Sequence, residues 1–183
     1  MRKSRNTGAY VRTWGGGVIS HIIIIGLVVP SVPPRSFLPH TTVAQTAEHL
    51  AGVVDSDANG TTEFVVCRRM TTDTDTAVPI AIGKVGLWAR GGAEIGFVLR
   101  RDEWRKGFMS EALQTLLPYY FNHLGYTRIT ADVDPRNTAS LGLLAKFGFV
   151  VTGEQERTVL LGTEWADSVY LELTRDTWLQ LAL

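Results

Sequence analysis

Between Glu94 and Leu124 the chain reads EIGFVLRRDEWRKGFMSEALQTLLPYYFNHL, and the rest of the fold has to be arranged around this stretch. Glu94 to Leu99 is a short apolar run with strand character. A charged turn follows and closes on Arg105-Lys106-Gly107, after which a helix is predicted to begin at about Phe108. Leu113, Leu116, Leu117, Tyr120, Phe121 and Leu124 recur at the three- and four-residue spacing of one buried helix face. Strand, basic turn and helix start together make a device for holding phosphate. The first backbone N–H groups of a helix have no internal partner, and the helix dipole adds partial positive charge there. Gly107 permits close approach of a ligand to the backbone, with two cations beside it. A plain surface turn before a basic helix start has the same composition, so the turn alone leaves both readings open.

A second stretch narrows the choice: Asp134-Pro-Arg-Asn-Thr-Ala-Ser-Leu-Gly-Leu-Leu-Ala-Lys-Phe-Gly-Phe149. Asn137 follows a strand (Thr130 to Val133) and a proline turn, and is placed to cap a helix from about Thr138 to Phe147. Gly148 ends that helix and Phe149 starts another strand. In order and spacing EIGFVL, WRKGFMSEAL, DPRNTASLGLLAKFGF and GTEWADSVYLEL resemble the GNAT superfamily of acetyl-CoA-dependent N-acetyltransferases, over roughly Thr41 to Trp178. Within it they look most like the RimJ/RimL-type branch, which acetylates protein N-termini and small amines.

The resemblance implies an acetyl-CoA co-substrate. Its amide-rich arm would pair as an extra strand near Phe97, Val98 and Leu99, and its diphosphate would meet the N–H groups of Arg105, Lys106, Gly107, Phe108, Met109 and Ser110. Met109 stands where the family pattern has Gly or Ala, which puts a longer side chain beside the pyrophosphate. Lys146 is expected to approach the phosphates, although a lysine near a helix C-terminus is stabilising in its own right. Three positions compete for acid–base work. Glu94 either draws the amine proton or is an exposed strand-start carboxylate. Ser140, fourth in Asn-x-x-Ser, either protonates the leaving thiolate or partners the Asn137 cap. Asn137 is read as a cap whose amide also contacts the coenzyme. Glu154 and Glu156 are reserve bases. Tyr120 is taken as core, with Tyr119 left open. Trp104 stands where many superfamily members carry Gln or Arg, and Trp165, Asp167 and Tyr170 are read as strand packing and acceptor wall.

The first forty residues are atypical. Arg2, Lys3, Arg5 and Arg12 precede a triple glycine and the apolar run VISHIIIIGLVV from Val18 to Val29, too short for a membrane-spanning helix of about 20 residues. No small-residue cleavage site follows. Ile22 to Val29 is expected to be the first strand, with an export or anchoring segment as the alternative. The proline-rich SVPPRSFLP after it leaves scarcely any room for the family's first helix. The division expected is an atypical segment over 1–40 and an N-acetyltransferase domain over 41–183.

Downstream, a helix is expected over 42–55, and Glu63 to Arg69 with Ile80 to Trp88 as an antiparallel pair around a solvated Thr/Asp-rich loop. Tyr126 to Val133 alternates with Ile129, Ala131 and Val133 on one face. Phe149 to Thr152, Thr158 to Leu161 and Ser168 to Leu173 are expected to be separate extended runs. The fold class expected is α/β: a single domain with a GNAT-like mixed, mostly antiparallel central sheet and helices on both faces.

Eighteen basic residues balance eighteen acidic ones, which argues against nucleic acid as the main partner. A single cysteine, Cys67, excludes an internal disulfide, and neither HExxH, CxxC nor a histidine cluster suggests a metal. The expectation is a cytoplasmic enzyme acting on an amine acceptor, either a small molecule or a protein N-terminus. No membrane partner is expected, and a homodimer is admissible. The alternative is a coenzyme-A-binding relative of weak catalysis with a structural or regulatory role.

Overall fold

The computed structural model describes residues 22–27, 62–68, 80–88, 92–161 and 163–181. The helix expected over 42–55 and the loop over 70–79 lie outside these. Strands β1 (Ile22–Leu27), β2 (Thr62–Arg68), β3 (Ile80–Trp88) and β4 (Glu94–Leu99) form an antiparallel meander. After β4 come a single 3-10 turn (Arg101–Glu103) and helix α1 (Phe108–Pro118), and then strand β5 (Arg128–Val133), parallel to β4. Parallel neighbours need a long crossover, and α1 supplies it. Helix α2 (Thr138–Lys146), strands β6 (Val150–Leu161) and β7 (Glu164–Thr174) and helix α3 (Arg175–Leu181) complete the described chain. The seven strands lie in the order β1-β2-β3-β4-β5-β7-β6, and only the β4–β5 pairing is parallel. This is a mixed, mostly antiparallel α/β fold.

The alternation read over β5 is what buries one sheet face. Ile129, Ala131 and Val133 stand opposite Leu173, Leu171 and Val169 of β7, and all six are buried. Against this face α1 sets Phe108, Met109, Ala112, Leu113, Leu116 and Leu117. The predicted stripe on α1 needs one correction. Pro118 cannot donate the helical hydrogen bond, and the chain widens at once into a π turn over Tyr119–His123, with the Leu124 N–H reaching back to the Tyr119 carbonyl. The extra residue per turn keeps Tyr120 and Phe121 buried but swings Leu124 out to 39 % exposure. Phe121 then stacks on Trp178 of α3, with ring centroids 5.1 Å apart.

A second correction concerns β6, which is one strand of 12 residues rather than two extended runs. Its ladder with β7 skips between Gln155 and Val159, and Arg157 there has φ 54°. That bulge absorbs the charged Glu154–Arg157 stretch, which reads as a break in sequence. The Asp167 carboxylate accepts the Arg157 N–H at 2.8 Å, and the Arg157 guanidinium lies 5.6 Å from the Trp165 ring.

Candidate active site

The site is organised by the place where the sheet stops being continuous. Strands β4 and β5 share one ladder pair, Glu94 with Thr130, closed by the Thr130 N–H on the Ala93 carbonyl at 2.7 Å. On the other side of β4, the Arg100 N–H donates to the Ile82 carbonyl at 2.8 Å. Residues of an antiparallel strand bond a given neighbour alternately. Glu94, Gly96 and Val98 therefore turn their backbone groups to β3, and Ile95, Phe97 and Leu99 turn theirs to the β5 side. The three residues expected to meet a coenzyme arm are thus divided. Phe97 offers its backbone groups, and Leu99 its N–H, at the edge where the ladder has stopped, whereas those of Val98 are engaged with β3 and the residue is 46 % exposed. Trp104 sits at the same edge, its indole N–H donating to the Leu99 carbonyl at 2.8 Å.

At the far end of β4 the turn delivers the start of α1. Gly107 caps the helix at φ 84°; among the described residues there is no side-chain cap, and nothing lies within 4 Å of where its Cβ would stand. The Glu111 N–H is the first to bond within the helix, to the Gly107 carbonyl at 3.0 Å. Among the described residues the N–H groups of Gly107, Phe108, Met109 and Ser110 thus have no partner, as at any helix start. Phe108 and Met109 point their side chains into the core, so only their backbone faces outward. The Met109 side chain, the longer one where the family pattern has Gly or Ala, therefore lies in the core rather than on the open side of the turn. Arg105 is exposed and carries a positive φ of 62° without being glycine. Lys106 donates to the Glu103 carboxylate at 2.9 Å.

The second motif packs alongside. The Asn137 side-chain oxygen accepts the Ser140 N–H at 3.1 Å, capping α2. Gly148 at φ 86° closes the helix with paired bonds, Gly148 N–H to the Ala145 carbonyl at 3.0 Å and Phe149 N–H to the Leu144 carbonyl at 3.2 Å. The cap uses the backbone of Ser140, and its hydroxyl has no partner among the described residues. From the last turn of α2, the Lys146 ammonium donates to the Ser110 hydroxyl at 3.1 Å. Lys146, distant in sequence from the other phosphate-binding candidates, thus reaches the start of α1.

Glu94 is half-buried where β4 begins, between Trp88 and Thr130 in register, at the closed end of the split. Leu99 is five residue steps further on, about 17 Å of extended strand at ~3.3 Å per residue. Glu154 and Glu156 are exposed on β6. On β7, Trp165 is exposed, Asp167 holds the bulge, and Tyr170 donates to the Gln155 side chain at 3.3 Å. Tyr120 is fully buried, and that burial pushes its hydroxyl pKa far up. Tyr119 is exposed and packs edge-on against Phe64, centroids 5.7 Å apart.

Two features escape a reading of the sequence. Glu103 is 2 % exposed, between Lys106 and the Arg68 guanidinium at 3.7 Å. Its position in a charged turn gives no hint of burial, because Arg68 arrives from a distant strand. The other is a clamp on the loop before α2. The Arg136 guanidinium bonds the Asp134 carboxylate (Nε to Oδ1 3.0 Å) and, through Nη1, Glu164 at 2.7 Å. Its bonds to the Arg136 guanidinium hold the Asp134 carboxyl below the usual carboxylate range. The Asp-x-Arg spacing hints at the first contact, but nothing local hints at Glu164.

The sequence pattern of the acetyltransferase (GNAT) domain matches residues 30–150. The chain belongs to the GNAT acetyltransferase family. It is 34% identical over 116 residues to the uncharacterized N-acetyltransferase p20 of Bacillus licheniformis, covering 63% of this chain and 64% of that one. It is 32% identical over 84 residues to the [ribosomal protein uS5]-alanine N-acetyltransferase of Escherichia coli, covering 46% and 43%. The chain thus spans about half the length of the curated relatives it matches. Among solved structures, a GNAT acetyltransferase from Bacillus anthracis superposes with a TM-score of 0.59 at 25% identity, covering 74% of this chain and 76% of that one. Among the described residues, no helix of this GNAT chain is long and apolar enough to cross a membrane, and no group of His, Cys, Asp or Glu is arranged to hold a metal.

Proposed function

We propose that this GNAT protein is an N-acetyltransferase of RimJ/RimL type that moves an acetyl group from acetyl-CoA directly to a primary amine. The observation that carries the reading is the pairing of an α1 start that lacks a side-chain cap among the described residues with a strand edge running from it towards Glu94. A ligand made of a diphosphate and an amide-bearing arm matches that pair of features. Its phosphates take the N–H groups from Gly107 to Ser110, joined by Lys146. Its arm lies along the Phe97 and Leu99 backbone, which brings the thioester towards Glu94. Similarity to an enzyme named for a ribosomal-protein alanine supports a primary amine as acceptor.

In the transfer itself the amine nitrogen attacks the thioester carbonyl, forming C–N as C–S breaks. The amine proton leaves to Glu94, directly or through water, and the departing thiolate takes a proton through the Ser140 hydroxyl, which regains one from water as Glu94 returns its own to water. Asn137 fixes the helix turn that carries Ser140. The acceptor falls to a protein N-terminus or a small amine, because both present the same primary amine chemistry. The test is a thermal scan with acetyl-CoA followed by thiol release across an amine panel. A ligand at a hundred times its dissociation constant stabilises by about 2.7 kcal/mol. The proposal expects that shift together with amine-dependent thiol release. An unmoved melting point with saturating acetyl-CoA would overturn it.

A further inference from the structure

We propose that Arg136 is a positioning residue: by bonding Asp134 and Glu164 together it fixes the first turn of α2, and with it the Ser140 hydroxyl, against the β6–β7 hairpin. The inference rests on the reading of Ser140 as the group that protonates the thiolate, and it adds the means by which that hydroxyl is kept in place.

The need for such a device follows from burial. Strand β5 ends on the buried Val133, and the next buried residue along the chain is Leu144, well inside α2. Between them Pro135, Arg136, Asn137, Thr138 and Ala139 are all exposed. Apolar packing therefore cannot set where the first turn of α2 lies, and polar bonds have to do it. They run in one series from the hairpin to Ser140. The Glu164 carboxylate accepts from Arg136 Nη1 at 2.7 Å, and the Asp134 carboxylate accepts from Arg136 Nε at 3.0 Å and from its backbone N–H at 2.8 Å. The Asp134 carbonyl accepts the Asn137 N–H at 2.8 Å, and the Asn137 side chain accepts the Ser140 N–H at 3.1 Å. A planar guanidinium with donors on both sides can serve two carboxylates at once, which an ammonium cannot do with the same geometry.

The far anchor is itself braced. Glu164 opens β7 in register with Leu161, across the turn from β6. Further along the same hairpin Asp167 holds the Arg157 N–H at 2.8 Å, and the Thr158 and Ser168 hydroxyls lie 2.6 Å apart. The side chains of Arg136 and Glu164 are 56% and 70% exposed, and ion pairs so open to water add little to stability. A positioning role therefore predicts a large effect on turnover beside a small one on melting.

The experiment measures Tm, and kcat at saturating acetyl-CoA, for Arg136→Gln, Glu164→Gln and Ser140→Ala, and for each clamp variant combined with Ser140→Ala. Thiol release is followed with an alanine-initiated peptide as acceptor, or with the panel amine that wild type turns over fastest. Arg136→Gln and Glu164→Gln are each expected to lower kcat roughly five- to twentyfold through the misplaced hydroxyl. Their Tm should fall by no more than about 4 °C. In the Ser140→Ala background the same substitutions should leave kcat almost unchanged, because a residue acting through Ser140 has nothing left to position. A merely structural contact would lower kcat by the same factor in both backgrounds, and that result would overturn the proposal. So would wild-type kcat in either single clamp variant while Ser140→Ala is slow. Should Arg136→Gln fail to fold, Glu164→Gln, altered at an exposed position, decides the matter. A Ser140→Ala protein at the wild-type rate would instead remove the reading of Ser140, and this inference with it.

Discussion

Gly107 is where the phosphate reading is most exposed to test, because its two costs can be separated. A Cβ there would meet nothing within 4 Å among the described residues, which therefore offer no steric objection to a side chain. What remains is the backbone: φ is 84°, and a non-glycine residue in that region costs about 1–2 kcal/mol, more for a β-branched one. In a domain of this size each kcal/mol lowers Tm by about 2–4 °C. Gly107→Ala should therefore melt about 2–8 °C below wild type, and Gly107→Val lower again, both still folded. The open space is also where the diphosphate has to approach, so the second cost falls on the ligand. Wild type at a hundred times its Kd gains about 2.7 kcal/mol, a rise of roughly 5–11 °C. The valine variant should show almost none of that rise and the alanine variant only part of it. Differential scanning fluorimetry with and without acetyl-CoA reads both. A Gly107→Val protein that is folded and shifts by the full wild-type amount would refute the assignment of this turn to phosphate.

Other expectations follow from the same geometry. Ser140→Ala should lower kcat by a factor that persists at high pH, since it concerns thiolate departure. Asn137→Ala should instead cost roughly 1 kcal/mol of stability through the lost cap, read by urea unfolding. Asp134 is held below the usual carboxylate range by the Arg136 guanidinium. A depressed folded-state pKa gives stability that is complete above the unfolded value, about 3.9, and lost as pH falls through the folded one. Asp134→Asn should therefore flatten the acid limb below about pH 4, while costing about 1 kcal/mol or less at pH 7 because Arg136 is exposed; an unchanged acid limb would count against the clamp. Deleting residues 1–30 removes β1, which pairs with β2 at six positions. The bared β2 edge should make the product aggregate, and a monodisperse, active truncation would contradict a structural role for β1.

The elements most legible in the sequence were those whose signals are local. The β5 alternation, the Asn137 cap and the Gly148 stop each follow from spacing or from one residue's conformational needs, and β5, α2 and its closing turn form there. The basic turn before a helix was legible as a type, with Gly107 at the start of α1. What escaped depends on partners far along the chain. Glu103 is buried because Arg68 reaches it from β2, and the Arg136 clamp needs Glu164 from β7. Burial of the Met109 side chain, and the parity that turns Val98 away from the split, depend on which strand lies on which side of β4. Composition carries no such information. The bulge at Arg157 was hidden for a related reason, since charged residues in a strand read as a loop until Asp167 and Trp165 are seen beside them.

The central claim is direct acetyl transfer at the split between β4 and β5, with Glu94 taking the amine proton. The most direct measurement is the pH dependence of kcat for Glu94→Gln beside wild type, with thiol release and acetylated amine counted in the same reaction. The account predicts one acetylated amine per thiol released, and a fall in kcat for the variant that narrows at high pH, where neutral amine is plentiful. Profiles coinciding in shape and height would make Glu94 a bystander, and thiol release without acetylated amine would contradict the transfer itself.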